Sequence, residues 1–410
     1  MSVTQAGFVM ITVDKALGII FDHVEPLSAE LVALEQAHRR VLAEDIVADI
    51  DLPPFDRARM DGYALRAADV AVTPATLRVI GEVPAGARFE RRVNPGEAVK
   101  IFTGAPMPDG ADSVQKVEVT RAEGEVVVIL EPTSAGQFIT PHASEVAAGD
   151  VVARSGRQIG AAEMAVLASF GYSRVKVARQ PRVAVISTGS ELVDVSMKPS
   201  GAQIRNSNTY TLAAYAEQAG AVVENFKTVE DTPEATREAL LRAADNRDIV
   251  VTSGGVSMGD YDLVKAALTQ IGAEIYFDRV IIRPGKPIVF AKRDHTYFFG
   301  LPGNPVSTSV TFNVFVRPAI RTLQGEGSPL LPVVGAQLSR SLKDQSSRRS
   351  YLPARLFFEA GRAMIEPLKW GGSSDLVAFM RANALIIVRE HVHEISEGNL
   401  VEAMLLNEIE

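Results

Sequence analysis

With 410 residues, 47% of them hydrophobic and 22% charged, the chain has the composition of a globular protein and is too long for one ordinary core, so about two to four domains are expected. A formal net charge of −8 at pH 7 argues against nucleic-acid binding through a general basic face, while leaving room for a local cationic pocket. The absence of cysteine excludes disulfides, thiolate zinc sites and cysteine nucleophiles. Met1 to Lys15 has no basic region leading into a long apolar core, and no apolar run approaches the ~20 residues of a membrane span, so a cytoplasmic protein without membrane contact is the expectation.

In chain order, Val13 to Val24 and Ser28 to Ala43 carry apolar residues at helical spacing on either side of Glu25-Pro26, which predicts two helices. From Asp51 to Ala143 the pattern changes to short β-type runs broken by glycine and proline: Leu77 to Ile80, Ala98 to Ile101, Val114 to Val117 and Val126 to Leu130. Val151-Val152, Ala161 to Phe170 and Arg174 to Ala178 return to mixed helix and strand. The β-rich module over 51–143 therefore reads as an insertion into a helical framework formed by 1–50 and 144–180.

From Arg182 strand and helix alternate. Val183 to Ile186 reads as a strand, Ser207 to Ala219 as a helix, the region of Phe226 to Val229 as a strand, and Pro233 to Ala244 as a helix capped by Thr232. With the strands and loops that follow and a closing helix from Val306 to Leu323, this makes a doubly wound α/β domain over 181–325. After the linker Gly325 to Pro329, Val333 to Leu342, Arg355 to Phe358, Ala363 to Pro367 and Leu385 to Val388 read as strands around one helix, Asp375 to Ala382, giving a C-terminal β domain over 330–410.

The segment 248–305 concentrates the chemistry. Ile249 to Thr252 is an apolar, β-branched run that ends in Ser253-Gly254-Gly255, and Asp260 or Asp262 starts the helix after it. A strand, a glycine turn and a helix start form an anion cradle. Arg283-Pro284-Gly285-Lys286 places two cations three residues apart on a stiff turn, and Phe298 to Leu301 runs into the Pro302-Gly303-Asn304-Pro305 loop. In an open α/β sheet such loops gather at the carboxyl edge, where ligands bind. Each loop alone is equally a plain connector, and the cations a solvated surface; three loops together favour a ligand.

Ser187-Thr188-Gly189-Ser190-Glu191 ends another apolar strand in a carboxylate, and Asp231 ends a further one; Asp231 also suits helix capping, and Asp260 and Asp262 suit first-turn acids that complement the helix dipole. In the N-terminal half, Asp56 and Asp61 stand five apart in the Pro-led loop before Gly62, a pattern that suits a hard cation or a simple Asp-Gly turn. Thr103-Gly104 ends a strand with a hydroxyl and free amides that suit an oxyanion. If these carboxylates converge they imply a divalent cation, most simply Mg2+. The six histidines show no metal-ligand spacing; His391 and His393 read as one exposed face of a strand. GxGxxG, Walker and GxSxG patterns are absent, which removes most dinucleotide oxidoreductases, P-loop NTPases and α/β-hydrolases.

Seven stretches, taken together, resemble the molybdopterin molybdenumtransferase family, the MoeA proteins and the gephyrin E domain. They are PPFDRARMDGYALRAAD (53–69), IFTGAPMPDGAD (101–112), VAVISTGSELV (183–193), IRNSN (204–208), SGGVSMGDYD (253–262), RPGKP (283–287) and GLPGNPVS (300–307). The resemblance implies a multidomain α/β plus β protein: a central three-layer α/β domain that binds the pterin, an inserted β-rich domain, a helical framework and a C-terminal β domain. It implies a homodimer whose active site lies between one subunit's α/β domain and the partner's inserted domain. It also implies insertion of molybdate into adenylylated molybdopterin with Mg2+-dependent release of AMP. By motif position, Asp61, Thr103, Glu191, Asp231 and Asp262 are the active-site polar residues, and Arg283 and Lys286 face pterin phosphate or molybdate. Ser187, Thr188, Gly189, Asn206, Ser253, Gly254, Gly255, Ser257, Pro302 and Asn304 join them as substrate contacts, and Asp61, Glu145, Glu191 and Asp231 are the metal candidates.

One run departs from the family. Where members carry G-Q-x-I-R-x-x-G-E-D, Gly136 to Glu145 has Thr140, Ala143 and Ser144 in place of the arginine, the glycine and the first acid, and Glu145 in place of the last. Two other readings stay open: a molybdopterin adenylyltransferase, against which the inserted and C-terminal domains argue, and a non-catalytic pterin-binding scaffold. Transient contacts with an adenylyltransferase and with recipient molybdoenzymes accompany the first reading.

Overall fold

A computed structural model describes residues 9–225, 228–256 and 263–406. Its centre is a six-stranded sheet in the order Val222–Asn225, Arg182–Ser187, Ile249–Ser253, Thr296–Leu301, Pro287–Arg293, Glu274–Arg279. The first four strands are parallel, while Pro287–Arg293 runs antiparallel to both of its neighbours. Because successive side chains alternate between faces, the apolar strands feed two cores at once. Val183, Val185, Ile249, Val251 and Phe299 pack on one side with Leu212 and Ala216 of helix Asn208–Gln218 and with Val310 and Phe315. Ala184, Ile186, Val250 and Phe298 pack on the other with Ala239 and Leu240 of helix Pro233–Ala244 and with Val264 and Leu268 of helix Leu263–Gln270. This is the three-layer arrangement expected from the alternating pattern.

The first helix, Val13–His23, buries Val13, Ala16 and Ile20 in the first of these cores. The second expected helix, over Ser28 to Ala43, does not form: Ala29–Ala33 is a strand paired antiparallel with Arg174–Ala178, followed by a short turn of helix at Leu34–Gln36. Leu31, counted toward an apolar helical face, is 49% exposed. The ladder satisfies the backbone where the helical spacing had only a few apolar contacts to offer, an instance of tertiary pairing overriding a local pattern.

The inserted region carries a six-stranded sheet in the order Ser113–Lys116, Gly62–Leu65, Glu97–Ile101, Ala75–Val83, Val126–Ile129, Thr120–Glu123. The C-terminal strands Arg349–Glu359, Arg362–Pro367, Val333–Leu338, Leu400–Leu405 and Ala384–Val388 close on themselves, since the first also pairs with the last. Ile282 and Arg283 add to that barrel by pairing in parallel with Arg349 and Ser350, which sutures the α/β domain to it. His391 lies in a turn, at φ 65°, and His393 just before the short strand Glu394–Ile395, with its Nδ1 3.1 Å from the Asp344 carbonyl, so the two do not share one face of a strand. The expected strand near Phe226 is Val222–Asn225; Val229 instead bridges to Thr188, and Phe226 lies outside the described residues. No helix among the described residues is long and apolar enough to cross a membrane.

Candidate active site

The carboxyl ends of the parallel strands open onto a cavity of about 700 Å³. Thr188, Glu191, Asn206, Asp231, Ser253, Gly254, Gly255, Pro302 and Asn304 line it, so nine residues chosen from separate stretches of sequence meet there. Gly254 and Gly255 adopt φ of 95° and 67°, a left-handed backbone that side chains avoid. A Cβ on Gly254 would also stand 2.4 Å from the Thr188 carbonyl oxygen. The two glycines thus let one loop settle onto the next, with Gly254 N donating to the Leu301 carbonyl at 3.1 Å. Thr188 lines the cavity, and its Oγ1 is buried with no hydrogen-bond partner among the described residues.

Asn208, within the matched IRNSN stretch, ties the cradle together: its Nδ2 donates to Ser253 Oγ and to the Gly303 carbonyl, both at 2.7 Å. Asn206 Nδ2 donates to Thr209 Oγ1 at 2.9 Å and to Thr228 Oγ1 at 3.1 Å. Ser187 does not reach the cavity; its buried hydroxyl is shared with Thr209 Oγ1 at 2.8 Å, beneath the floor. Gly189 is likewise not in the lining, and its missing side chain leaves room for the Glu191 carboxylate, whose oxygens lie within 2.8 Å of the position a Cβ would take. Ser257, Asp260 and Asp262 lie outside the described residues.

The Arg283–Pro287 loop reaches the same edge by a different route from the one expected. It precedes its strand, and the antiparallel direction of Pro287–Arg293 brings that strand's amino end beside the others' carboxyl ends. Pro287 lines the large cavity, whereas Arg283, Pro284 and Gly285 line a second one of about 280 Å³ with Ser307, Arg348, Trp370, Gly372 and Ser373. Lys286 lines neither of the two. The start of helix Pro305–Thr311 and the 373–374 turn separate the cavities, with Asn304 Nδ2 donating to Ser373 Oγ at 2.9 Å.

The small cavity is cationic. Arg283 is held by the buried carboxylate of Asp344, which also accepts from Ser346 N at 3.1 Å, and Arg348 Nη1 donates to the Ile282 carbonyl at 3.1 Å. Burial, and then the neighbouring Arg283 charge, hold the Arg348 guanidinium below the ordinary arginine range. Arg348, Ser307 and Ser373 were not among the residues singled out from sequence: Ser307 sits inside a matched motif, whereas Arg348 lies in a polar run and Ser373 in a Gly-Gly-Ser-Ser stretch.

Asp61 and Thr103 form a separate cluster on the inserted domain. Both the backbone N–H and the hydroxyl of Thr103 donate to Asp61 Oδ1 at 2.7 Å. Those two bonds, the backbone one first, hold the exposed Asp61 carboxyl below its ordinary range. Neither residue lines the α/β cavity of the chain. Glu145 is paired with Arg57, Oε1 to Nη2 at 2.9 Å. Among the described residues no three His, Asp or Glu side chains gather closely enough to hold a metal ion, so the four metal candidates do not form one site within a single chain.

Comparison with known proteins gives a consistent result along the chain. Residues 11–171 match the model of the MoeA N-terminal region (domain I and II), 184–322 that of a probable molybdopterin binding domain, and 335–406 that of the MoeA C-terminal region (domain IV). A molybdopterin molybdenumtransferase of Nostoc sp. is 39% identical across 97% of this chain and 94% of its own length. Another, from Haemophilus influenzae, is 34% identical across 96% of this chain and 98% of its own. The solved structure of a molybdopterin biosynthesis MoeA protein from Pyrococcus horikoshii superposes with a TM-score of 0.83 at 30% identity, covering 97% of this chain and 100% of that one.

Proposed function

The chain belongs to the MoeA family, and from that premise we propose that it inserts molybdenum, supplied as molybdate, into adenylylated molybdopterin with release of AMP. The observation that carries this reading is the pair of adjoining cavities. One is of a size for a pterin nucleotide, about 700 Å³, with a glycine cradle and two carboxylates; the other, about 280 Å³, offers two guanidinium groups and two serines suited to a small oxyanion. Arg283 and Arg348 bind the tetrahedral dianion, and Asp344 behind Arg283 fixes that guanidinium's direction. Gly254, Gly255 and Thr188 hold the nucleotide's phosphates. The exchange at molybdenum involves no net electron transfer: bonds to the pterin's two dithiolene sulfurs replace Mo–O bonds, the displaced oxygens leave protonated as water, and water cleaves the phosphoanhydride to give AMP. A chain without cysteine suits this chemistry, because the sulfur ligands come with the substrate.

We assign the active unit to a homodimer. Asp61 and Thr103 lie away from the cavity of their own chain, and a second protomer supplies them. Exposed Phe55 and Met60 beside Asp61, and exposed Met197, Ile204 and Tyr210 around the cavity mouth, support such a contact. The donors in question are all carboxylate oxygens, which fit Mg2+. Glu191 and Asp231 of one chain with Asp61 of the partner would hold the ion, which neutralises phosphate charge when bound.

The test is turnover of the purified chain with adenylylated molybdopterin, molybdate and Mg2+. AMP and molybdenum cofactor are expected to form together and to require all three. Tight ligand binding without AMP release would overturn the reading in favour of a scaffold, and formation of the adenylylated pterin from ATP would select an adenylyltransferase.

A further inference from the structure

The side chains around the small cavity are mostly hydrogen-bond donors. The guanidinium groups of Arg283 and Arg348 and the indole of Trp370 donate and cannot accept, and among the described residues no carboxylate, side-chain amide or histidine lines the cavity. Asp344 is kept out of the lining: its side chain is 2% exposed, Arg283 and Ser346 N take one of its oxygens, and the other is buried. Three main-chain acceptors are already engaged. Thr311 Oγ1 donates to the Ser307 carbonyl at 2.8 Å, Val306 N to that of Ser373 at 2.9 Å, and Asp375 N to that of Gly372 at 3.1 Å.

Of the lining side chains only the two serines can also accept. Ser373 Oγ already accepts from Asn304 Nδ2 at 2.9 Å, which leaves its own proton to give. Ser307 is 4% exposed, and no hydrogen bond engages its hydroxyl among the described residues. The loop that carries Arg283 is pressed onto the helix that carries Ser307: Gly285 has φ 103°, and a Cβ there would stand 2.3 Å from Thr311 Cγ2. Donors from loop and helix are thus held at a fixed separation. An oxyanion that carries a proton needs an acceptor for it, and two donors brought face to face forfeit a bond that each had with water. We propose that the small cavity selects tetrahedral oxyanions by protonation state, taking proton-free dianions such as molybdate, tungstate and sulfate and rejecting phosphate, which keeps a proton at neutral pH. This rests on the reading of the small cavity as the oxyanion site and adds the rule by which it chooses.

The test titrates the full-length chain at neutral pH with molybdate, sulfate and phosphate. Calorimetry gives the affinities, and the emission of Trp370, the only tryptophan in the sequence, reports whether the ion enters this cavity. Sulfate is expected to bind at least about tenfold more tightly than phosphate, to which it is close in size, and to compete with molybdate for the same Trp370 response. Ser373→Asp sets a carboxylate acceptor in the lining. It is expected to weaken sulfate and molybdate by about tenfold or more and to bring the preference for sulfate over phosphate down to about threefold or less. Phosphate binding as tightly as sulfate to the wild-type chain overturns the proposal, whether or not the variant folds. An undiminished preference in Ser373→Asp overturns it too, as does calorimetric binding that leaves Trp370 emission unchanged. AMP, assigned to the large cavity, is expected not to displace molybdate; displacement would give the small cavity to the nucleotide's phosphate and overturn its assignment to a free oxyanion. A sulfate preference that persists in a chain releasing no AMP supports the selection rule and overturns the proposed activity instead.

Discussion

Asp61 Oδ1 accepts both the backbone N–H and the hydroxyl of Thr103, each at 2.7 Å, across 42 residues of sequence. Two donors on one oxygen favour the ionised carboxyl, leave the second oxygen clear, and fix which way it points.

The sign of the resulting pH dependence follows. Asp61's pKa is depressed in the folded chain, so its contribution is present above the ordinary aspartate value of ~3.9 and is lost as pH falls through the lower folded value. Thr103→Val keeps the N–H bond and deletes the hydroxyl bond. The Asp61 titration, followed by carboxyl-carbon NMR, is expected to move up toward the ordinary value, and the acid limb of AMP release to move with it. Asp61→Asn is expected to cost about a hundredfold in kcat with little change in the unfolding midpoint. A downward shift in Thr103→Val would show that the hydroxyl does not stabilise the anion.

Gly254 allows a sharper test of the cradle. Gly254→Ala combines a φ of 95° with a Cβ 2.4 Å from the Thr188 carbonyl oxygen, so the loop must move. Affinity for AMP, measured by calorimetry, is expected to fall by about tenfold or more, with ~2 kcal/mol of stability lost. Gly303→Ala, on the facing loop, is the control: its Cβ would meet nothing closer than the Gly254 Cα at 3.7 Å. It is expected to retain AMP affinity within about twofold. Equal losses in both variants would mean that the Gly254 turn has no special part in binding.

Ala143 replaces the glycine of the resembled motif yet keeps a glycine-like backbone, at φ 55°. Its N–H donates to the Pro53 carbonyl at 3.0 Å, which holds the turn in place. A Cβ in this region costs ~1–2 kcal/mol, partly offset by the greater freedom of glycine in the unfolded chain. Ala143→Gly is therefore expected to raise stability by about 0.5 kcal/mol, read as a higher urea midpoint. A lower midpoint would show that the methyl group makes contacts worth more than the strain.

Much of the α/β domain was legible because its signals are local. Thr232 before Pro233 starts a helix at that residue, and Thr232 Oγ1 accepts from Ala235 N at 3.2 Å. Ile249 to Thr252 has no polar face and is buried on both sides, as a parallel strand between helical layers must be. Ser28 to Ala43 misled because its apolar spacing is compatible with a helix and its true partner, Arg174–Ala178, lies far along the chain.

The site divides in the same way. Gly254, Glu191, Asp231 and Asn304 stand at the ends of strands, and the rule that ligands sit at that edge is enough to group them. Which cation faces which cavity was decided by folding: Arg283 is drawn into the small pocket by Asp344, 61 residues away, and the C-terminal domain contributes Arg348 and Ser373. The pairing of Arg57 with Thr140 is likewise invisible along the chain, since the two become neighbours only through strand register. Short-range chemistry settles which loops are built to bind; pairings between distant residues settle what each side chain meets, because those contacts exist only once the strands and domains have docked.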